Sequence, residues 1–148
     1  MQNNFSPFSI NLKNKNILIL GAGNIAFHKC EVLRELKANI KVVTKEVADP
    51  RFLDLKDIQI EIREFLEKDL EDIFLVVAAT DNKDFNRNIF ELCEKKNILI
   101  NNITSKEDMN LRFMSVIKNS EYTLGISANG NPKKAKTLKE KIIDFLKI

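Results

Sequence analysis

The stretch Asn16-Ile-Leu-Ile-Leu-Gly-Ala-Gly-Asn-Ile-Ala-Phe-His-Lys29 limits the possible folds more than any other segment of the chain. A short run of apolar residues, 16–20, ends in Gly21-Ala22-Gly23 and passes straight into helix-compatible residues. An unbroken apolar run of this length suits a strand buried on both faces, as in a parallel sheet. Gly21, Gly23 and Ala26 then fit G-x-G-x-x-A at the turn from strand to helix. The first glycine permits the tight turn, the second lets a pyrophosphate approach the backbone, and Ala26 keeps the helix close to the sheet. Asn24 and Ile25 open that helix, whose unpaired N–H groups and partial positive charge favour an anion. Small residues also occur where a helix merely crosses a sheet closely. In this setting the corner predicts a dinucleotide site.

The rest of the first hundred residues continues the pattern. Ile25, Val32, Leu33 and Leu36 recur at helical spacing, and 40–44 is a second β-branched run. Residues 58–63 alternate strictly, as a half-exposed strand near a sheet edge does. A fourth strand is expected over 74–79, a helix with the face Phe85, Ile89, Leu92 and Cys93, and a fifth strand over 97–103. Asp81 or Asn82 supplies the cap of that helix. This order predicts a Rossmann-like, doubly wound α/β unit with a mostly parallel sheet. The pattern changes near 103–111, which divides the chain into 1–111 and 112–148. The second part reads as a small α+β segment. It has two short strands within 112–117 and 122–127, a loop at 128–132, and a helix presenting Ala135, Leu138, Ile142 and Phe145.

Ligand-facing positions in such a sheet lie at the strand ends. Thr44 stands at the expected tip of the second strand, with Glu46 slightly beyond it. Thr44 suits a ribose hydroxyl and Lys45 a 2′-phosphate, so NAD and NADP both remain open. At the end of the fourth strand, Ala79 leaves room for a nicotinamide ribose, Thr80 offers a hydroxyl, and Asp81 is either a helix cap or a functional acid.

Other features exclude. With one histidine and two distant cysteines the chain offers no zinc-type ligand cluster. Cys30 and Cys93 read as packing residues, and His28 as an exposed helix residue. The longest apolar runs are far short of a membrane span, and the first residues lack a signal-peptide pattern. A soluble cytoplasmic protein is expected. The net charge is +3, and six lysines against two acids fall between Lys133 and Ile148. No aromatic interleaving accompanies them, so nucleic acid is not the expected partner. A solvated helix face and a site for an anionic small molecule are the two readings.

Taken together, several segments resemble the dehydrogenase module of sirohaem synthesis, the precorrin-2 dehydrogenase family. They are Pro7-Phe8 with Leu12-Lys13, the glycine corner with Lys29, Ala78-Ala-Thr-Asp81, Asn86-Arg87, Asn101-Asn102-Ile103, Phe113-Met114, and Ile126-Ser-Ala-Asn-Gly130 with Pro132. The resemblance implies NAD-dependent oxidation of precorrin-2 to sirohydrochlorin by a homodimer formed through the segment after the nucleotide domain. It implies an anionic tetrapyrrole substrate whose carboxylates meet Arg112, Asn129, Lys133, Lys134 and Lys136. Two departures stand out. At the family's catalytic aspartate this chain has Ser105, a poor general base near neutral pH, with Asp108 and Asp81 as substitutes; ferrochelatase activity is therefore not expected. The resemblance also implies a C-terminal helical tail, which is not expected here after Ile148. A catalytically silent NAD- or tetrapyrrole-binding module is the alternative reading. A regulatory domain that reads NAD would explain the glycine corner but not the later segments.

Overall fold

The computed structural model of the chain describes residues 3–148. It contains two compact units, one of residues 10–111 and one of residues 112–148 with the amino-terminal segment up to Ser9.

In the first unit, β1 (Asn16–Leu20), β2 (Asn39–Thr44), β3 (Gln59–Ile62), β4 (Leu75–Ala78) and β5 (Leu99–Asn102) form one sheet in the order β3-β2-β1-β4-β5. Every pairing is parallel. The order follows from the apolar content of each strand. Ile17–Leu20 and Leu75–Ala78 are buried on both faces and take the centre, whereas alternating β3 takes an edge. Helix α1 (Asn24–Glu35) carries the chain from β1 to β2, and α2 (Lys83–Lys96) carries it from β4 to β5. The links from β2 to β3 and from β3 to β4 each contain only a short 3₁₀ turn. Asn82 caps α2 by accepting from Phe85 N at 3.0 Å, so of the two candidate caps the asparagine performs this role. Left-handed Asn97, at φ 55°, ends the helix.

On one face of the sheet, Leu18, Leu20, Val76, Ala78 and Ile100 pack with Ile89 and Cys93 of α2. The α1 side departs from expectation. Its buried stripe is Ala26, Phe27, Cys30 and Leu33, while Ile25, Val32 and Leu36 are exposed. Both sets have helical spacing. The glycine corner draws the first turn of α1 against the sheet at Ala26, and this rotates the neighbouring Ile25–Val32 stripe outward. Both cysteines are fully buried packing residues.

In the second unit, β6 (Ser115–Lys118) and β7 (Thr123–Ile126) form an antiparallel hairpin, followed by α3 (Pro132–Leu146). Its small core is Ile117, Ile126 and Ala135, with Leu124, Ala128, Ile142 and Ile143 against it. Ala135 and Ile142 of the expected face are inside. Leu138 and Phe145 are not, and Phe145 is 84% exposed. Burying Ile143 beside Ile142 turns the helix away from them. Among the described residues, no helix is long and apolar enough to cross a membrane.

Candidate functional site

The strand order reverses between β1 and β4, and in an open parallel sheet a crevice forms beyond the strand ends at that point. The glycine corner sits there. Gly21 N donates to Val43 O at 3.0 Å on one side, and Ala79 N donates to Leu20 O at 2.8 Å on the other. Gly21 has φ +100°, and a Cβ there would lie 2.6 Å from Ala79 O. Glycine at this position is therefore required by the protein's own atoms. Gly23 is different. Its φ of −93° suits any residue, and a Cβ there would meet nothing within 4 Å. No side chain caps α1, for which Gly23 is the N-cap. The first turn of a 12-residue helix thus presents bare N–H groups to open space, the arrangement that receives a phosphate group.

A cavity of about 560 Å³ lies over this corner. Gly21, Gly23, Thr44, Ala79, Thr80 and Asp81 all line it. Asn24, Ile25 and Ala26 do not: Ala26 is buried beneath the helix, and the other two have exposed side chains. At the β2 end, Thr44 Oγ1 donates to Glu46 O at 2.6 Å, which leaves the Thr44 hydroxyl able only to accept. The exposed carboxylate of Glu46 also lines the cavity.

At the β4 end, a polar network fixes the loop that carries Thr80 and Asp81. Thr80 Oγ1 donates to Asn86 Oδ1 at 2.6 Å, and Asn86 Nδ2 donates to Thr80 O at 2.9 Å and to Thr104 Oγ1 at 3.1 Å. Thr104 Oγ1 donates in turn to Asn102 Oδ1 at 2.9 Å. Asn86 is wholly buried, so its side chain ties the β4 and β5 loops together from below. Sequence reasoning gave Asn86 no role in the site. A polar residue on the buried face of an amphipathic helix was the available signal.

Ser105 and Asp108 share a turn after β5 and do not line the cavity. Ser105 Oγ accepts from Glu107 N at 3.2 Å and Asp108 N at 3.0 Å, so it is a turn-forming hydroxyl. Asp49 and Arg51, also unforeseen, brace the other flank of the corner. Asp49 N donates to Ala22 O at 2.8 Å, and Arg51 donates to both Asp49 carboxylate oxygens and to Asn24 Oδ1. The hydrogen bonds from Arg51 to its carboxylate hold Asp49 below the usual carboxylate range. Arg51 also lies 4.1 Å from the centre of the Phe27 ring. His28 is exposed on α1.

The residues expected to meet a substrate's carboxylates belong to the second unit. Arg112 stacks on Phe5 at 3.8 Å, and Asn129 accepts from Asn3 Nδ2 at 2.7 Å. Lys133, Lys134 and Lys136 are exposed on the first turns of α3. Among the described residues, no group of three or more His, Cys, Asp or Glu side chains is placed to hold a metal ion.

A doubly wound sheet with a bare helix N-terminus at its switch point defines a nucleotide-binding protein of the Rossmann type. The family described as "Putative NAD(P)-binding" matches residues 8–115, and this chain belongs to it. Siroheme synthase from Buchnera aphidicola subsp. Acyrthosiphon pisum is 35% identical over 145 residues, covering 94% of this chain and 30% of that protein. Siroheme synthase from Baumannia cicadellinicola is 32% identical, over 96% of this chain and 31% of its own length. The chain thus spans about three tenths of the curated relatives it matches. Among solved structures, SirC, a precorrin-2 dehydrogenase, superposes with a TM-score of 0.80 at 23% identity, over 95% of this chain and 70% of that one. This likeness extends the shared fold through the hairpin and last helix.

Proposed function

We propose that the chain binds NAD over the glycine corner and catalyses the oxidation of precorrin-2 to sirohydrochlorin, with loss of a hydride and a proton from the substrate. The observation that carries the cofactor reading is Gly23. Neither its backbone nor any neighbouring atom demands glycine, and a Cβ there would project into the space a pyrophosphate needs. The names of the siroheme synthase relatives and of the SirC structure support the choice of substrate.

In this reading, bound NAD supplies the hydride acceptor. The N–H groups of the first turn of α1 hold its pyrophosphate, and Glu46 accepts from the adenosine ribose hydroxyls. The Asn86 network keeps Thr80 and Asp81 at the opposite end of the cavity. Asp81 is the first choice to take the proton because its side chain lies at the cavity, and Asp108 is the second. Ser105, occupied in its turn, is not a base. Arg112, Asn129, Lys133, Lys134 and Lys136 recognise the carboxylates of the tetrapyrrole. The chain acts as a homodimer joined through the second unit, where Val116, Leu138 and Phe145 are exposed apolar residues.

A second reading, a catalytically silent NAD- or tetrapyrrole-binding module, is favoured by the turn role of Ser105. Anaerobic incubation of the purified protein with precorrin-2 and NAD separates the two. Appearance of the sirohydrochlorin absorbance, lost in Asp81→Ala, is the expected result. NAD binding without turnover, with turnover gained by Ser105→Asp, would establish the silent module instead.

A further inference from the structure

Resting on the reading of the cavity as an NAD site, a specificity device emerges at its β2–β3 end, where a doubly wound sheet receives the adenosine half of the cofactor. Arg63 follows β3, lines the cavity, and donates its amide N–H to Thr44 O at 2.8 Å. A guanidinium carries five N–H groups, and here four of them donate hydrogen bonds while Nη2 also forms an ion pair with Glu61. Nε donates to Glu61 Oε2 at 2.6 Å. Nη1 donates to Asp69 Oδ2 and to Glu64 O, each at 2.8 Å. Nη2 reaches Asp69 Oδ1 at 2.6 Å and Glu61 Oε2 at 2.5 Å. The Asp69 side chain is only 2% exposed, and its Oδ2 also accepts from Leu66 N at 2.8 Å. The guanidinium is therefore fixed at its whole rim.

A guanidinium held in this way offers a ligand only its flat face and its carbon stem. Such a face stacks well on an aromatic ring system. Phe65 lines the cavity beside it. The other cation at this end, Lys45, is exposed and paired with Glu64 at 3.2 Å. Glu46 and Glu64 add two carboxylates to the same wall.

We propose that Arg63 is the stacking platform for the adenine ring, and that engagement of its rim by Asp69 and Glu61 makes the site reject a 2′-phosphorylated adenosine. An arginine beside a ribose ordinarily receives a 2′-phosphate through its N–H groups. Here four are already donated and the rim lies against the carboxylates of Asp69 and Glu61, so the same residue type favours the unphosphorylated nucleotide. Glu61 is a positioning residue, acting on the ligand only through Arg63.

Isothermal titration of the full chain with 5′-AMP, 2′,5′-ADP, NAD and NADP tests this without any turnover. The wild type should bind AMP and NAD at least about tenfold more tightly than their 2′-phosphorylated counterparts. Arg63→Lys retains a cation for Asp69 but has no flat face, and it should weaken AMP and NAD by about tenfold, the scale of one stacked ring. Glu61→Ala frees the Nε N–H and removes the carboxylate paired with Nη2, and should raise the NADP-to-NAD affinity ratio by about tenfold. Unchanged AMP binding in Arg63→Lys overturns the platform, and an unchanged ratio in Glu61→Ala overturns the role of the engaged rim. If Arg63→Lys fails to fold, Glu61→Ala alone decides. Absence of NAD binding by the wild type overturns the cofactor reading and this inference together, whereas normal NAD binding with unaffected variants overturns this inference alone.

Discussion

Alanine at each of the two corner glycines should separate folding from binding. At Gly21 a side chain must adopt φ +100° and place its Cβ 2.6 Å from Ala79 O and 2.9 Å from Ala79 C. Both are backbone atoms of the loop that follows β4, so neither can swing aside. The left-handed backbone costs about 1–2 kcal/mol and the overpacking about 1–3 kcal/mol, together about 2–5 kcal/mol. Against a typical domain stability of about 5–15 kcal/mol this is large. It corresponds to a fall of about 10–20 °C or more in Tm for a unit of this size. At Gly23 the sign reverses. The backbone is already acceptable to alanine and the Cβ meets no protein atom, so the narrower unfolded ensemble should add about 0.4–1 kcal/mol of stability. The same methyl group occupies the approach to the helix N-terminus. Losing one or two charge-assisted hydrogen bonds should weaken NAD by about 10–100-fold. Thermal unfolding followed by circular dichroism, and calorimetric NAD titration of the same samples, read both quantities. The reasoning is refuted if Gly23→Ala unfolds as early as Gly21→Ala, or if it binds NAD like the wild type.

Three further outcomes can be checked. Asp69 is held below the ordinary carboxylate range chiefly by its hydrogen bonds with Arg63. Its contribution is therefore complete above the unfolded value of about 4 and is lost as pH falls toward the folded one; urea titrations from about pH 5 downward should show a steeper loss of stability in the wild type than in Asp69→Asn. Asn86→Ala removes the tie between the β4 and β5 loops and leaves Thr80 and Thr104 without their shared partner, so it should destabilise by about 1–3 kcal/mol in denaturant unfolding, with no loss if the network is ornamental. Burial pushes the Cys30 thiol up to about 11 and Cys93 up to about 12. Neither should react with a thiol reagent near pH 8 until the protein is unfolded, and rapid native labelling would contradict their burial.

Much of the fold was legible because its signals are local. Continuous apolar runs for the central strands, alternation for the edge strand β3 and the glycine corner all lie within short stretches, and each takes its form from neighbours a few residues away. The position of the cavity over the glycine corner was legible for the same reason, since strand ends follow from strand order. Which helical stripe is buried was not legible. In α1 and in α3 two adjacent stripes have the same period, and only the distance between helix and sheet selects one. The role of Ser105 also escaped, because a hydroxyl that accepts two amide N–H groups looks the same in sequence as one facing a substrate.

The sequence by itself determined a doubly wound sheet with a phosphate-ready corner, since periodicity and glycine placement act through local backbone geometry. Tertiary structure alone decided why the two glycines differ, for Gly21 answers to an oxygen 58 residues further along the chain while Gly23 answers to no protein atom. It also decided what Arg63 can offer a ligand. A guanidinium's chemistry depends on how many of its N–H groups remain available, and that number is set by Asp69 and Glu61 meeting it in space.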